Sequence, residues 1–492
     1  MTGLVVSAAD RLVEQASSLH DAGHPAEAEA CLRRALGQDP DHPFALTLLA
    51  QLAIERRDID AAIRHARAVL SRQPNFAPAL SHLAQALWLS GRLREGLEPA
   101  RRAVAVQPAN PLLRLNLGQL CAWLGLREQA EGAVRPLLEQ GWHPTIIRAR
   151  AHGVIGEALT AQGAFEQAHA ALERAIALAP DLDALHMAYG MSLLRLGRLR
   201  EGWESYRRRH RIAFFFPGQG TGLPGEPWRG QDLTGRTILL RDEQGYGDAI
   251  QFFRYIPLLR QAGAARIVLS TFPLLAPLFQ ASTGMAEVVT DPALDPPPDF
   301  HCLTGDLPHA FGTTVDTIPA AVPYIRPPAA AMRAGPALPA GQGPCVGLVW
   351  SGDPRHVTDH LRSIPAADFL RIADTPGVRF VSLQNAVRAA DLPALTSRPN
   401  VARMGEILGD FGQTAELVSR LDLVITVDTS VAHLSGAMGK PVWILVPRAP
   451  DWRWLIGRED SPWYPTLRLF RAGADGWPPV IARVRQALGG IA

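Results

Sequence analysis

Six turn-forming positions, Gly23, Arg57, Gly91, Gly125, Gly163 and Gly197, divide the first two hundred residues at intervals of 34, 34, 34, 38 and 34. Five residues after each comes a small residue: Ala28, Ala62, Gly96, Ala130, Ala168 and Gly202. Proline follows several turns by seventeen residues, at Pro40, Pro74, Pro108 and Pro180, and Gly118, Gly156 and Gly190 recur in the first half of later units. A period of this length holds two short helices and a turn, and one such pair cannot bury its apolar face alone, so the units must stack. The small residue lets paired helices touch, and the proline stops the second helix. The pattern predicts a helical solenoid over roughly residues 8–210. Four extra residues near 141–147, where the chain reads GWHPTII, predict a bend.

The offsets resemble tetratricopeptide repeats, about six of them within 1–210. The resemblance implies a groove that takes a protein or peptide; the alternative is a stack that serves as spacer or dimerisation surface. Trp88, Trp123, Trp142 and Trp203 read as repeat core.

At 492 residues the chain is too long for a single core, and about three domains are expected. The net charge of +2 gives no nucleic-acid footprint, and Lys440 is the only lysine among the 49 basic residues. Cys31, Cys121, Cys302 and Cys345 are too scattered for a metal or disulfide pattern. The first residues lack the layout of a secretory signal, and no stretch approaches the ~20 apolar residues of a membrane span. A cytoplasmic protein without an integral membrane segment is expected.

From Phe214 the composition changes. Residues 211–233, rich in glycine and proline with Phe214 to Phe216 at their head, read as a linker whose phenylalanines dock on the last repeat. RTILLR from Arg236, a glycine loop and helix, and ARIVLS from Ala265 make a βαβ unit, so 234–325 reads as one Rossmann-like lobe. Residues 326–343 read as a proline-dense tether. The second lobe, 344–492, holds the apolar strands CVGLVW and VRFVSLQ, a helix over FGQTAELVSRL, and the block DLVITVDTSVAHLSGAMGKPVWILV from Asp422. A final amphipathic helix spans Gly476 to Leu488. In an open α/β sheet the carboxyl ends of the strands open on the ligand crevice, and free N–H groups at a helix start attract phosphate. The Asp428-Thr429-Ser430 corner has that place.

This block, with Asp428, Thr429, Ser430 and His433, resembles the strand-D-T-x-x-x-H-helix stretch of GT-B glycosyltransferases related to the heptosyltransferases (glycosyltransferase family 9). The fused layout is similar to that of the O-GlcNAc transferases. The resemblance implies an α-helical repeat solenoid followed by an α/β GT-B module of two Rossmann-like lobes, the first facing acceptor and the second facing donor. It implies that the Gly245-Tyr246-Gly247-Asp248 loop serves the acceptor, with Asp248 as general base and Glu243 in reserve. The second lobe would hold a nucleotide sugar through Ser351, Arg362, Gln384, Asp428, Thr429, Ser430, Val431 and His433, with Arg362 from the loop ending R-S-I-P on the donor phosphates. The C-terminal helix would cross back to brace the first lobe. Pro447 to Arg471 resembles the tail of repeat-fused members, and Trp452, Trp454, Trp463 and Tyr464 read as packing, with Asp451 and Arg453 paired.

His356 and His360 have the spacing of a zinc pair but sit in a loop without an evident third ligand, so no metal and no cofactor beyond the sugar donor is expected. Three functions stay open: a glycosyltransferase whose solenoid recruits a protein acceptor, such as a bacterial surface or flagellar protein; one acting on lipopolysaccharide or another glycolipid; and a non-catalytic scaffold with a degenerate transferase module.

Overall fold

The computed structural model describes residues 7–139, 143–212, 222–291, 294–329, 337–356 and 358–491. The chain divides into two compact units, Met1–Leu185 with Pro354–Val357, and His186–Asp353 with Thr358–Ala492.

The first unit is a series of antiparallel helix pairs: Ala8–Asp21 with Pro25–Gln38, Pro43–Glu55 with Ile59–Arg72, Ala77–Leu89 with Leu93–Val106, Pro111–Trp123 with Arg127–Glu139, and Thr145–Ala161 with Phe165–Leu178. A sixth pair, Asp183–Arg195 and Leu199–Tyr206, belongs from His186 onward to the second unit. All six turn positions have left-handed backbone, with φ between 64° at Arg57 and 82° at Gly23. That conformation is cheap only for glycine, which explains the beat in the sequence. Ala28, Ala62, Ala130 and Ala168 are buried, as small residues at helix contacts must be. The four extra residues lengthen one helix: Thr145–Ala161 has 17 residues where Pro43–Glu55 has 13. The expected bend falls partly on 140–142, which with Trp142 lie outside the described residues, as do Phe214 to Phe216 and 330–336 of the tether.

The second unit holds two wholly parallel sheets. The first comprises β1 Glu226–Pro227, β2 Thr237–Arg241, β3 Arg266–Ser270, β4 Glu287–Val289 and β5 Phe300–Leu303, in the order β1-β5-β2-β3-β4. The second comprises β6 Cys345–Val349, β7 Arg379–Ser382, β8 Val401–Arg403, β9 Leu423–Val427, β10 Val442–Val446 and β11 Leu467–Arg471, in the order β11-β10-β9-β6-β7-β8. β6 and β9 are buried at every position, as strands covered on both faces are. Each sheet reverses its winding once, between β2 and β5 and between β6 and β9, and ligand crevices open outside the carboxyl ends at such points.

One apolar cluster joins the sixth repeat (Leu194, Leu199, Trp203, Tyr206), the first sheet (Ile238, Leu240) with Phe252 of the helix after it, and the second sheet (Ile444, Leu469) with Trp454 of the turn Trp452–Trp454. The C-terminal helix, Trp477–Gly489, departs from expectation. Val480, Ile481, Val484 and Leu488 lie on one face, and that face is buried with Phe369, Leu370 and Ile372 of its own lobe, so it braces the second sheet. No helix among the described residues is long and apolar enough to cross a membrane.

Candidate functional site at the two winding reversals

Asp428 and Thr429 follow the end of β9, and the helix Ser430–Ala437 starts after them. Thr429 is extended, and its hydroxyl turns back to Thr426 Oγ1 at 3.1 Å. It makes no side-chain cap, so the hydroxyl leaves the helix start uncovered. Ser430 and Val431, the first residues of that helix, are half-buried. Asp428 is buried; burial, reinforced by Asp451 and opposed by Arg362, raises its carboxyl to about 6.

His433 lies one turn into the same helix. Its Nδ1 pairs with Tyr464 Oη at 2.8 Å, and its ring stacks on Trp454 with centroids 5.3 Å apart. Burial, then the nearby Arg453 guanidinium, holds the imidazole far below its ordinary value, so it is neutral near pH 7. Tyr464 packs so closely on Gly436 that a Cβ there would lie 2.6 Å from its ring.

Ser351 lies just past the end of β6, and Gln384 just past the end of β7. The Gln384 amide accepts from Ser351 N at 3.2 Å and donates to Ser351 O at 3.1 Å, so it clamps the neighbouring strand end. The Ser351 hydroxyl is buried with no hydrogen-bond partner among the described residues. Beside it Gly352 closes on Arg362: a Cβ on Gly352 would lie 2.9 Å from Nη2. Arg362 itself is only loosely paired, with Nε 3.7 Å from Asp359 Oδ1.

The first sheet presents the loop 242–248 at its own reversal. Asp248 Oδ2 accepts from Gly245 N at 2.9 Å, capping the helix Tyr246–Phe252, while Oδ1 is held by Arg453 Nη2. Arg453 also donates to Gln251 Oε1 at 2.7 Å and Asp451 Oδ1 at 2.8 Å, so one guanidinium ties the second lobe to the helix after the loop. Gly247 lies against His433, and a Cβ there would fall 2.7 Å from Cδ2 of the ring. Asp248 of the first sheet and His433 and Asp428 of the second thereby meet around Arg453. Just past this point Leu455 is in the left-handed region (φ 48°), a costly backbone of the kind that collects at functional sites.

Glu243, the reserve base, is engaged away from the loop glycines. It is buried; Arg209 donates to both carboxylate oxygens, and Gly305 N donates to Oε1 at 3.2 Å, so it is turned toward the repeat junction. Its neighbour Asp242 accepts from Thr271 Oγ1 at 2.6 Å and Thr304 Oγ1 at 3.0 Å, and burial raises its carboxyl to about 7. The sixth repeat holds both sides of the crevice. Tyr206 Oη donates to Gln244 Oε1 at 3.0 Å, Arg195 Nε to Pro450 O at 3.0 Å, and Trp203 packs edge-on to Trp452 with centroids 5.1 Å apart. Sequence reasoning missed the role of Arg453 in holding Asp248, and missed Asp242, Arg209 and Gln251 altogether; a charged residue in an apolar context was the available signal for Asp242, whereas Arg209 sits in a basic run that reads as surface. Among the described residues no group of three His, Cys, Asp or Glu side chains is placed to hold a metal ion.

Two family models of tetratricopeptide repeats match residues 19–83 and 149–208. The chain is similar to protein FlbA of Caulobacter vibrioides, with 27% identity over 491 residues, covering 92% of this chain and 80% of that protein. Among solved structures it is similar to a thermophilic TPR protein of Thermus thermophilus (23% identity, 38% of this chain, all of that one, TM-score 0.32). YrrB, a TPR protein with an unusual peptide-binding site, matches at 20% identity over 36% of this chain and 89% of that one, with a TM-score of 0.31. The N-terminal region is thus built of tetratricopeptide repeats, and the similarity to FlbA runs on through the two parallel sheets.

Proposed function

We propose that the protein is a metal-independent glycosyltransferase of the GT-B type, resembling the heptosyltransferase group, which moves a sugar from a nucleotide-sugar donor to a hydroxyl of a polypeptide engaged by the repeats. The observation that carries this reading is the convergence of two winding reversals on one cluster, with the Asp428-Thr429 corner on one side and Asp248 on the other. The donor diphosphate would take the uncovered helix start at Thr429 to Val431 and the loosely paired Arg362. Neutral His433 and the Ser351 hydroxyl supply polar groups at the same edge. The acceptor oxygen attacks the anomeric carbon and gives its proton to Asp248, while the bond to the diphosphate breaks. Cations and N–H groups aimed at the leaving oxygens lower the barrier because charge grows there. Arg453 holds Asp248 in the structure; phosphate oxygens compete for the same guanidinium, so donor binding would loosen that pair and free the carboxylate to act as base. Repeats that hold a polypeptide would raise its concentration at the crevice.

The test is a thermal-shift screen with UDP, GDP and ADP, followed by a donor-hydrolysis screen over nucleotide sugars. A nucleoside diphosphate should raise the melting temperature, and Arg362→Ala should erase that shift. Absence of a shift with all three, together with no hydrolysis, would leave the scaffold reading. An undiminished shift in the variant would remove Arg362 from the site. Asp248→Asn should keep the shift and lose about 100-fold in transfer, the usual scale for a general base.

A further inference from the structure

Gln51, Gln85 and Gln119 stand 34 residues apart on the first helices of successive repeats, and 38 residues on, across the four extra residues, the same place holds Glu157. Glu157 Oε2 accepts from the Gln119 amide and from the indole N–H of Trp123. Oε1 accepts no hydrogen bond from the described residues. Burial raises the carboxyl, and no cation contributes to offset it. A glutamine, the residue of the three preceding repeats, would accept the same two hydrogen bonds through its carbonyl, so packing does not ask for the charge. A carboxylate placed in a desolvated site without a counter-ion is costly, and its presence points to a charge that arrives from outside. The Trp123 ring beside it packs on Trp88 with centroids 4.4 Å apart, which adds aromatic surface of the kind that attracts cations.

We propose that Glu157 and Trp123 form a subsite in the repeats for a cationic side chain, lysine or arginine, of a polypeptide partner. The ammonium or guanidinium donates to the open Oε1 and lies against the indole face, and the residues around it in the partner pass along the neutral amides of Gln119 and Gln85. The subsite rests on the repeats alone and does not depend on any chemistry in the second unit.

The indole N–H resonance of Trp123 is the reporter, assigned by its loss in Trp123→Phe. The full chain, labelled with 15N tryptophan, is titrated with three capped pentapeptides: Gly-Ser-Arg-Ser-Gly, Gly-Ser-Lys-Ser-Gly and Gly-Ser-Glu-Ser-Gly. The arginine and lysine peptides should move the resonance saturably, and the glutamate peptide should need at least ten-fold higher concentration for the same displacement. Glu157→Gln should fold, melt at a higher temperature than the parent chain, and bind the arginine peptide at least ten-fold more weakly. Equal responses to the three peptides, or undiminished binding by Glu157→Gln, would overturn the proposal. Failure of Glu157→Gln to fold would overturn it too, since the charge would then be a brace for Gln119 and Trp123.

Discussion

Gly190 shows how strictly single residues are fixed. A Cβ there would lie 2.7 Å from Tyr206 N, a backbone atom that cannot turn aside, so Gly190→Ala should cost about 2 kcal/mol, in the range of overpacked cores, read as a fall in the urea midpoint at unchanged slope. Asp242 carries a pH signature. Its folded value, about 7, lies above that of an ordinary carboxylate, so the folded protein keeps a proton that the unfolded chain has released. That stabilisation is complete below about pH 4 and is lost as pH rises to 7; three pH units correspond to ~4 kcal/mol as an upper limit. Urea midpoints between pH 4.5 and 7.5 should fall with pH in the parent chain, and Asp242→Asn should flatten that part of the slope. A parent profile that rises through this range would refute the assignment. At this scale the sequence was readable where backbone geometry dictates residue type, as at the turn glycines and at Gly118 and Gly156, where an added Cβ would meet Val134 and Leu172 at 2.7 Å. It was unreadable where one charge answers another far along the chain: Arg209 meets Glu243 across 34 residues and Arg453 meets Asp248 across 205.

The helices and strands with the strongest periodicity were legible in advance. β2, β3, β6, β7, β9 and β10 all fall inside apolar runs read from the sequence, because a buried parallel strand must be apolar throughout. β1, β4 and β8, two or three residues each and partly exposed, carry no such signal. The helix pair Asp183–Arg195 and Leu199–Tyr206 looks like one more repeat by its spacing, yet Trp203 is 1% exposed in the same cluster as both sheets, and its Nε1 donates to Thr313 O at 3.0 Å. Removing a buried tryptophan or tyrosine costs about 3–5 kcal/mol, comparable with the whole stability of many domains. A chain that begins at Gly230 should therefore show no cooperative melting by circular dichroism, whereas one that begins at Asp181 should melt in a single sharp step. Cooperative melting of the shorter chain would show that the sheets do not need the repeat. The same junction predicts that Arg209→Met, which strips the buried Glu243 and the partly exposed Asp306 of their cation, destabilises by about 3–5 kcal/mol.

For the whole molecule, the two units should melt separately, and scanning calorimetry should resolve two transitions. A nucleoside diphosphate at 100 times its Kd should stabilise by about 2.7 kcal/mol, and only the transition of the second unit should move. Movement of the repeat transition instead would place the nucleotide in the wrong half of the chain. The division into a repeat region and a two-sheet region was visible in the change of composition from Phe214 onward. The boundary between compact units was not, because the spacing of turns is blind to which neighbour a helix packs on.

That displaced boundary sets what variation the protein can tolerate. The pair ending at Tyr206 contributes side chains to both walls around Arg453, through Arg195 to Pro450, Tyr206 to Gln244 and Trp203 to Trp452. A truncation or exchange that keeps the chain from Asp183 onward keeps every one of those contacts. That pair is a wall of the crevice as much as it is a repeat.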